Sequence, residues 1–398
     1  MAPRGRTAEA ILMGMLAFCI LGSYALARPA VESIFLSVYG AAHLPLGWLA
    51  VTGGAIGVVA GYERCAARLG LARLLLGAIG LSAGVLVLLL GVGRPAGAML
   101  LFVWKDLYVV VLIETFWSLA NVLSDGAQAR RSYGWYCALG SLGGVVGNLV
   151  GGSLAGRLGS HVVVLLVIPV LAVAGGCALL LGRRPEVRQA RPQRPQRART
   201  GDALRVVGTS RYLLPLLGVV ALVQVVLAVV DLQCTAALER AYPALDARTA
   251  VLGRIYAAID ASSIALQVLT GPLLRLLGVG GVLLGVPSLL GGCLGLVLAA
   301  PGVATLVLAK VVGKAMDYSL FRAAKEMLYL PLSYEEKTQG KALIDMLVYR
   351  LAKGGASLLL LGAGTRATSA MLTLLGLAAV GGWVGLILII LPRYRQAA

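Results

Sequence analysis

The chain has 398 residues, of which 59% are apolar and 13% charged, and its mean hydropathy is +0.89. An average soluble domain carries about 25% charged residues, so this composition excludes a disordered chain, a soluble enzyme and a secreted disulfide scaffold. A net charge of +18 on so apolar a chain points to basic loops that orient it in a membrane, not to nucleic acid.

Crossing about 30 Å of hydrocarbon takes roughly 20 apolar residues in a helix. Runs of that length predict twelve transmembrane helices, near 9–38, 44–68, 71–92, 95–123, 129–154, 159–182, 207–240, 250–273, 277–298, 303–331, 340–363 and 369–391. The expected fold class is an all-α polytopic membrane protein with two six-helix halves, 1–182 and 207–398. The first run, preceded by Arg4 and Arg6, imitates a signal peptide around Ala25-Leu26-Ala27. It is too long for one, and Arg28-Pro29 follows at once, so it reads as a retained first helix.

Between the halves, 183–206 is rich in Arg, Pro and Gln without apolar periodicity, which reads as a solvated basic linker. Basic residues concentrate in this linker and in the segments predicted on its side, placing both termini in the cytoplasm. Cys19, Cys65, Cys137, Cys177, Cys234 and Cys293 are scattered, with neither metal-ligand spacing nor disulfide clustering. No metal, cofactor or nucleic acid is expected. No Gly-x-x-x-x-Gly-Lys-Ser/Thr loop is present, so nucleotide hydrolysis is not expected either.

Charges within the predicted helices carry the functional signal, because each costs roughly 2.5–3.5 kcal/mol at a bilayer centre on insertion scales. In helix 1, Arg28 and Glu32 stand four residues apart and can neutralise each other. Helix 4 holds Lys105, Asp106 and Glu114 among Trp104, Tyr108 and Trp117. These aromatics either wall a cavity for a planar group or, as the commoner case, pack as core and interfacial belt. Asp260 lies in helix 8. Helix 10 is the most charged, with Lys310, Lys314, Asp317, Arg322, Lys325 and Glu326 inside 17 residues. At 100° per residue Lys314, Asp317, Phe321 and Lys325 share one stripe, which should face water rather than lipid. Lys341 and Asp345 form a second four-residue pair at the start of helix 11. The chain has 28 Arg and 7 Lys, yet Lys105, Lys310, Lys314, Lys325, Lys341 and Lys353 all fall in or beside predicted helices. Intramembrane ammonium groups suit an anionic solute, phosphate above all. The acids Glu32, Asp106, Glu114 and Asp260 are the proton-coupling candidates.

The halves repeat weakly. Glu114 and Gly143-Gly144 recur as Glu326 and Gly354-Gly355, offset by 212 and 211 residues. Arg68-Leu-Gly70-Leu-Ala-Arg73 after helix 2 and Gly271-Pro-Leu-Leu-Arg275-Leu-Leu-Gly278 after helix 8 resemble degenerate forms of the major-facilitator signature. Same-orientation repeats of this kind build the two halves of that fold.

The stretch 314–355, KAMDYSLFRAAKEMLYLPLSYEEKTQGKALIDMLVYRLAKGG, resembles the bacterial and plastid ATP/ADP translocases through Lys314, Tyr318, Lys325, Glu326, Tyr329, Lys341, Asp345 and Lys353. Phe116-Trp117-Ser118-Leu119-Ala120-Asn121 with Arg130-Arg131, and Tyr24…Arg28…Glu32, are further matches. The resemblance implies a major facilitator-type fold and alternating-access exchange of a nucleotide. Lys341 matches a family lysine thought to contact the substrate, and with the charge pattern the expected substrate contacts are Arg28, Lys105, Lys314, Tyr318, Lys325, Lys341 and Lys353. Coupling or gating would fall to Glu32, Asp106, Glu114, Asp260, Asp317, Glu326 and Asp345. Val31 stands where the family has a lysine, and Lys105 where it has a glutamate. The expected location is a bacterial inner membrane, with a small anionic solute and the lipid bilayer as partners and a monomer as an admissible state. Two other functions fit the same scaffold: a proton-coupled exporter of an amphiphilic or drug-like compound, and a non-transporting membrane sensor.

Overall fold

The computed structural model describes residues 3–123, 126–185, 187, 205, 207–208, 210–329, 332, 349–364 and 368–397. No strand occurs among them. The helices are α1 (Pro3–Tyr39), α2 (Leu44–Arg68), α3 (Leu71–Leu90), α4 (Ala96–Leu123), α5 (Gly126–Leu158), α6 (Ser160–Leu165), α7 (Val167–Gly182), α8 (Leu213–Ala241), α9 (Leu245–Ala299), α10 (Val303–Met316), α11 (Arg322–Leu328), α12 (Tyr349–Ala363) and α13 (Ser369–Ala397). Among the described residues, nine helices are long and apolar enough to cross a membrane. Three features reconcile that number with the twelve runs of the sequence, the first being that the 340–363 run is described only from Tyr349, as the 15-residue α12. Gly278, at φ 68° and ψ 171°, interrupts the 55-residue α9 and separates its two apolar runs. That backbone geometry lies in a region open to glycine and strained for other residues. The helix 10 segment carries too many charges to count as an apolar span, and it is divided by a π-helical turn, Asp317–Phe321, between α10 and α11.

The chain packs as two compact units. Unit 1 comprises Met1–Gly40, Gly53–Pro195 and Tyr242–Ala261; unit 2 comprises Ala41–Thr52, Gln196–Ala241 and Ser262–Ala398. Inside unit 1, α1 packs on α5, α7 and α4. The α1–α5 seam has a sequence cause in Gly143, Gly147 and Gly151, which recur every four residues on one face of α5. A Cβ on Gly143 would fall 2.3 Å from the Phe18 carbonyl oxygen, and one on Gly147 would fall 2.4 Å from that of Gly22. Small residues at this spacing let two backbones approach until dispersion holds them, the usual basis of helix pairing in lipid.

The start of α9 is tied into unit 1 by polar groups. Asp246 accepts from the Ser160 backbone N–H and hydroxyl, both at 2.7 Å, and Arg248 donates to the Ser33 carbonyl at 2.9 Å. Gly253 meets the Asn148 carbonyl and Gly152 so closely that a Cβ would sit 2.6 Å from the former.

In unit 2, α8 packs on α13, α12 and α10. Gln233 of α8 accepts from Ser369 at 2.8 Å and Thr373 at 3.0 Å on α13. The Tyr212 hydroxyl donates to the Leu328 carbonyl at 2.8 Å, fixing the end of α11.

Candidate binding sites built from intramembrane charge

Unit 1 joins five of its helix-borne charges, Arg28, Glu32, Lys105, Asp106 and Asp260, into one network centred on α1. Arg28 is half-buried and its guanidinium sits 3.6 Å from the centroid of the Tyr256 ring, a distance at which cation–π attraction is strong in a dry site. The Tyr256 hydroxyl donates to Glu32, which is 8% exposed. Asp260, one turn beyond Tyr256 on α9, lies within electrostatic reach of Arg28 and accepts from the Asn148 amide at 2.8 Å. On the other side of Arg28, Tyr24 presents its ring at 5.8 Å and donates its hydroxyl to Asp106 at 3.1 Å. Asp106 also pairs with Lys105 at 2.9 Å, and the Lys105 ammonium rests 4.3 Å from the Phe102 ring centroid. Arg28, Glu32, Lys105, Asp106 and Asp260 thus form one hydrogen-bonded and electrostatic chain, with Tyr24, Tyr256 and Asn148 as its links.

Val31 is fully buried, which makes it a packing residue on α1. Glu114 is exposed on α4, two turns from Asp106. The aromatics of α4 satisfy one another. Trp104 stacks on Tyr108 at 4.4 Å and donates to the Ser82 carbonyl at 3.1 Å, and Trp117 meets Phe116 and Tyr133 edge-on. They pack as core.

Unit 2 gathers a second group. Lys310 and Lys314, one turn apart on α10, both face Asp231 of α8, at 3.4 Å and 2.7 Å. The Lys310 side chain is 1% exposed, against 14% for Lys314 and 17% for Asp231. Asp317 opens the π turn within electrostatic reach of Lys314, Lys325 and Arg322. A π turn winds more slowly than an α-helix, so the constant 100° step used for the sequence does not hold across 317–321. Asp317 nevertheless lies near both lysines of the expected stripe. It also lines an apolar cavity with Met316, Phe321, Leu227, Leu290 and Trp383. Tyr318 and Glu326 are half-buried on the same segment. Lys353 lies apart, on α12, with its ammonium 5.9 Å from the Trp48 ring centroid. Lys341 and Asp345 lie outside the described residues.

Sequence reasoning missed three functional groups. Asp231 carried a readable signal, as the one charged residue between Leu213 and Leu238 in an otherwise apolar run. Tyr256 and Asn148 carried none, because nothing in their local pattern distinguishes a ring or amide that bridges charges from one that packs.

Among the described residues no set of three His, Cys, Asp or Glu could hold a metal ion. Both groups set ammonium or guanidinium cations beside carboxylates, in a low-dielectric surround that strengthens charge interactions.

Comparisons with known proteins bear on the fold and the family. The nucleoside transporter NupG, as its D323A mutant, superposes with a TM-score of 0.74 at 13% identity, covering 96% of this chain and 99% of that one. A POT family transporter superposes with a TM-score of 0.66 at 10% identity over 97% of this chain and 96% of that one. A bacterial homologue of the human lysosomal transporter Spinster superposes at 0.63 with 13% identity, over 100% and 98%. At these identities the likeness establishes the fold, which is that of the major-facilitator transporters. By sequence, the chain is 47% identical over 68 residues to ADP,ATP carrier protein 1 of Chlamydia trachomatis, a match spanning 15% of this chain and 13% of the carrier. It is 39% identical over 98 residues to the plastidic ATP/ADP-transporter of Solanum tuberosum, spanning 23% and 15%. These local matches cover far less than two thirds of either relative. The TLC ATP/ADP transporter family profile matches residues 178–394. With more than half of its length matched, the chain belongs to the TLC ATP/ADP transporter family.

Proposed function

We propose that the protein is a secondary active transporter that moves an anionic, nucleotide-like metabolite across the membrane by alternating access, through exchange or a gradient. The observation that carries this reading is the pairing of Lys310 and Lys314 around Asp231 inside unit 2, in a chain whose family is named for ATP/ADP transport. Buried lysines are costly unless they are paired or serve a ligand. In this reading Arg28, Lys105, Lys314, Tyr318, Lys325, Lys341 and Lys353 contact the substrate. Glu32, Asp106, Glu114, Asp260, Asp317, Glu326 and Asp345 couple or gate. The halves are 1–182 and 207–398, with Tyr256 and Asp260 of the second half completing the group centred on Arg28; the 183–206 linker and both termini are cytoplasmic, and the membrane is a bacterial inner membrane. The protein catalyses no hydrolysis.

A thermal-shift panel on detergent-purified protein tests the substrate class, since a ligand that binds the folded state raises its stability. Nucleoside di- and triphosphates should raise the melting temperature, while neutral nucleosides and amphiphilic drugs should not. Stabilisation by amphiphiles alone would replace this reading with the proton-coupled exporter, which the burial of Glu32 beneath Tyr256 favours. In that case transport should survive Lys341→Ala and fail in Glu32→Gln.

A further inference from the structure

We propose that Asp231 is a resident counter-ion that occupies the anion position between Lys310 and Lys314 in the empty carrier, and that the phosphate oxygens of an incoming ligand displace it from Lys314. This inference rests on the transporter reading above and assigns a role to a residue that the motif resemblance does not include.

Three observations carry it. First, Lys310 and Lys314 are four residues apart on α10, so their ammonium groups stand on one face, where like charges repel. Asp231 reaches both, with one carboxylate oxygen 3.4 Å from Lys310 and the other 2.7 Å from Lys314. A carboxylate bridging two ammonium groups has the geometry in which a phosphate would bridge them. Second, access is graded. The Lys310 side chain is 1% exposed and anchors the carboxylate from the protein side, whereas Lys314 and Asp231 are 14% and 17% exposed. Lys314 and Asp231 are therefore the accessible members of the group, and an incoming anion meets them before Lys310. Third, Asp231 stands alone in charge along Leu213–Leu238 of α8, so that apolar helix contributes one carboxylate to this site. The other charges near Lys314 are Asp317 of the π turn and, around Asp317, Arg322 and Lys325 of α11.

Charge follows from this geometry. With Asp231 in place the lysines are partly neutralised, and an anion must compete with a carboxylate already held at short range. Removing that competitor should tighten anion binding, whereas removing Lys314 should weaken it. Asp231 thereby sets the affinity and keeps the substrate exchangeable.

The test uses the full chain in detergent and pyrophosphate as the probe, titrated by calorimetry. Asp231→Asn should bind pyrophosphate at least ten-fold more tightly than wild type. Lys314→Gln should bind it at least ten-fold more weakly, and the double variant should be as weak as Lys314→Gln. Because Asp231→Asn alone strips the fully buried Lys310 of this partner and is prone to misfold, a second form combines it with Lys310→Met. That form removes the competing carboxylate from Lys314 and should still bind pyrophosphate more tightly than wild type, though less tightly than Asp231→Asn alone. A folded Asp231→Asn protein, with or without Lys310→Met, that binds pyrophosphate no more tightly than wild type overturns the proposal. Failure of the transporter reading is distinguished by its own signature, the absence of nucleotide flux in wild type, which leaves the pyrophosphate comparison intact.

Discussion

Tyr256 touches both members of a charged pair on α1: its ring lies 3.6 Å beneath the Arg28 guanidinium and its hydroxyl donates to Glu32, one turn further along. The i,i+4 spacing that lets Arg28 and Glu32 neutralise each other is thus completed by a third side chain from α9. Tyr256→Phe keeps the ring and removes the donor from a buried carboxylate. A hydrogen bond to a charged group contributes about 1.5–3 kcal/mol, so the variant should melt lower by a corresponding amount. Tyr39→Phe, which removes an exposed bond to the Pro95 carbonyl, should leave melting unchanged.

Arg28→Lys offers a sharper variant at the same place. A lysine keeps the charge but lacks the planar guanidinium that stacks on a ring. Transport should fall at least ten-fold while melting shifts little. Transport equal to wild type would show that only the charge matters.

The α1–α5 seam predicts a steric effect. Gly147→Ala places a methyl group 2.4 Å from the Gly22 carbonyl oxygen, where backbone must move. Overpacking of this kind costs about 1–3 kcal/mol. Gly134→Ala, on the same helix with open space around it, should be neutral or slightly stabilising. Melting of the two variants side by side checks the prediction.

The Asp231 pair predicts an asymmetry in stability. Asp231→Asn deprives the buried Lys310 of a partner and should cost about 3–5 kcal/mol, the range for breaking a buried ion pair from one side. Lys310→Met replaces a buried ammonium by an apolar chain of similar volume and leaves Asp231 paired with Lys314, so it should cost much less. The double variant should recover most of the loss, as a double-mutant cycle by thermal unfolding would measure.

These predictions draw on different depths of legibility. The spanning helices were readable because bilayer thickness imposes a length and an apolar content that few other constraints imitate. The nearness of Lys314 and Asp317 was readable because they stand three residues apart, and charge in such a run demands a partner. The π turn at 317–321 was not, since its winding depends on how α10 and α11 pack against their neighbours and leaves no composition signal. Tyr256 was invisible for a related reason: its partners Arg28 and Glu32 are more than two hundred residues away in sequence. Only folding the start of α9 onto α1 brings them together. Asp231 falls between these cases, isolated enough to notice but without a partner until the helices are packed.

The central claim, transport of a nucleotide-like anion through these lysines, is tested most directly by counterflow in proteoliposomes. Vesicles preloaded with unlabelled nucleoside di- and triphosphates should accumulate labelled nucleotide through the wild-type protein. Lys314→Gln should reduce that accumulation at least ten-fold at unchanged protein incorporation. Correctly folded, reconstituted wild-type protein that shows no uptake or counterflow of any nucleotide would contradict the account.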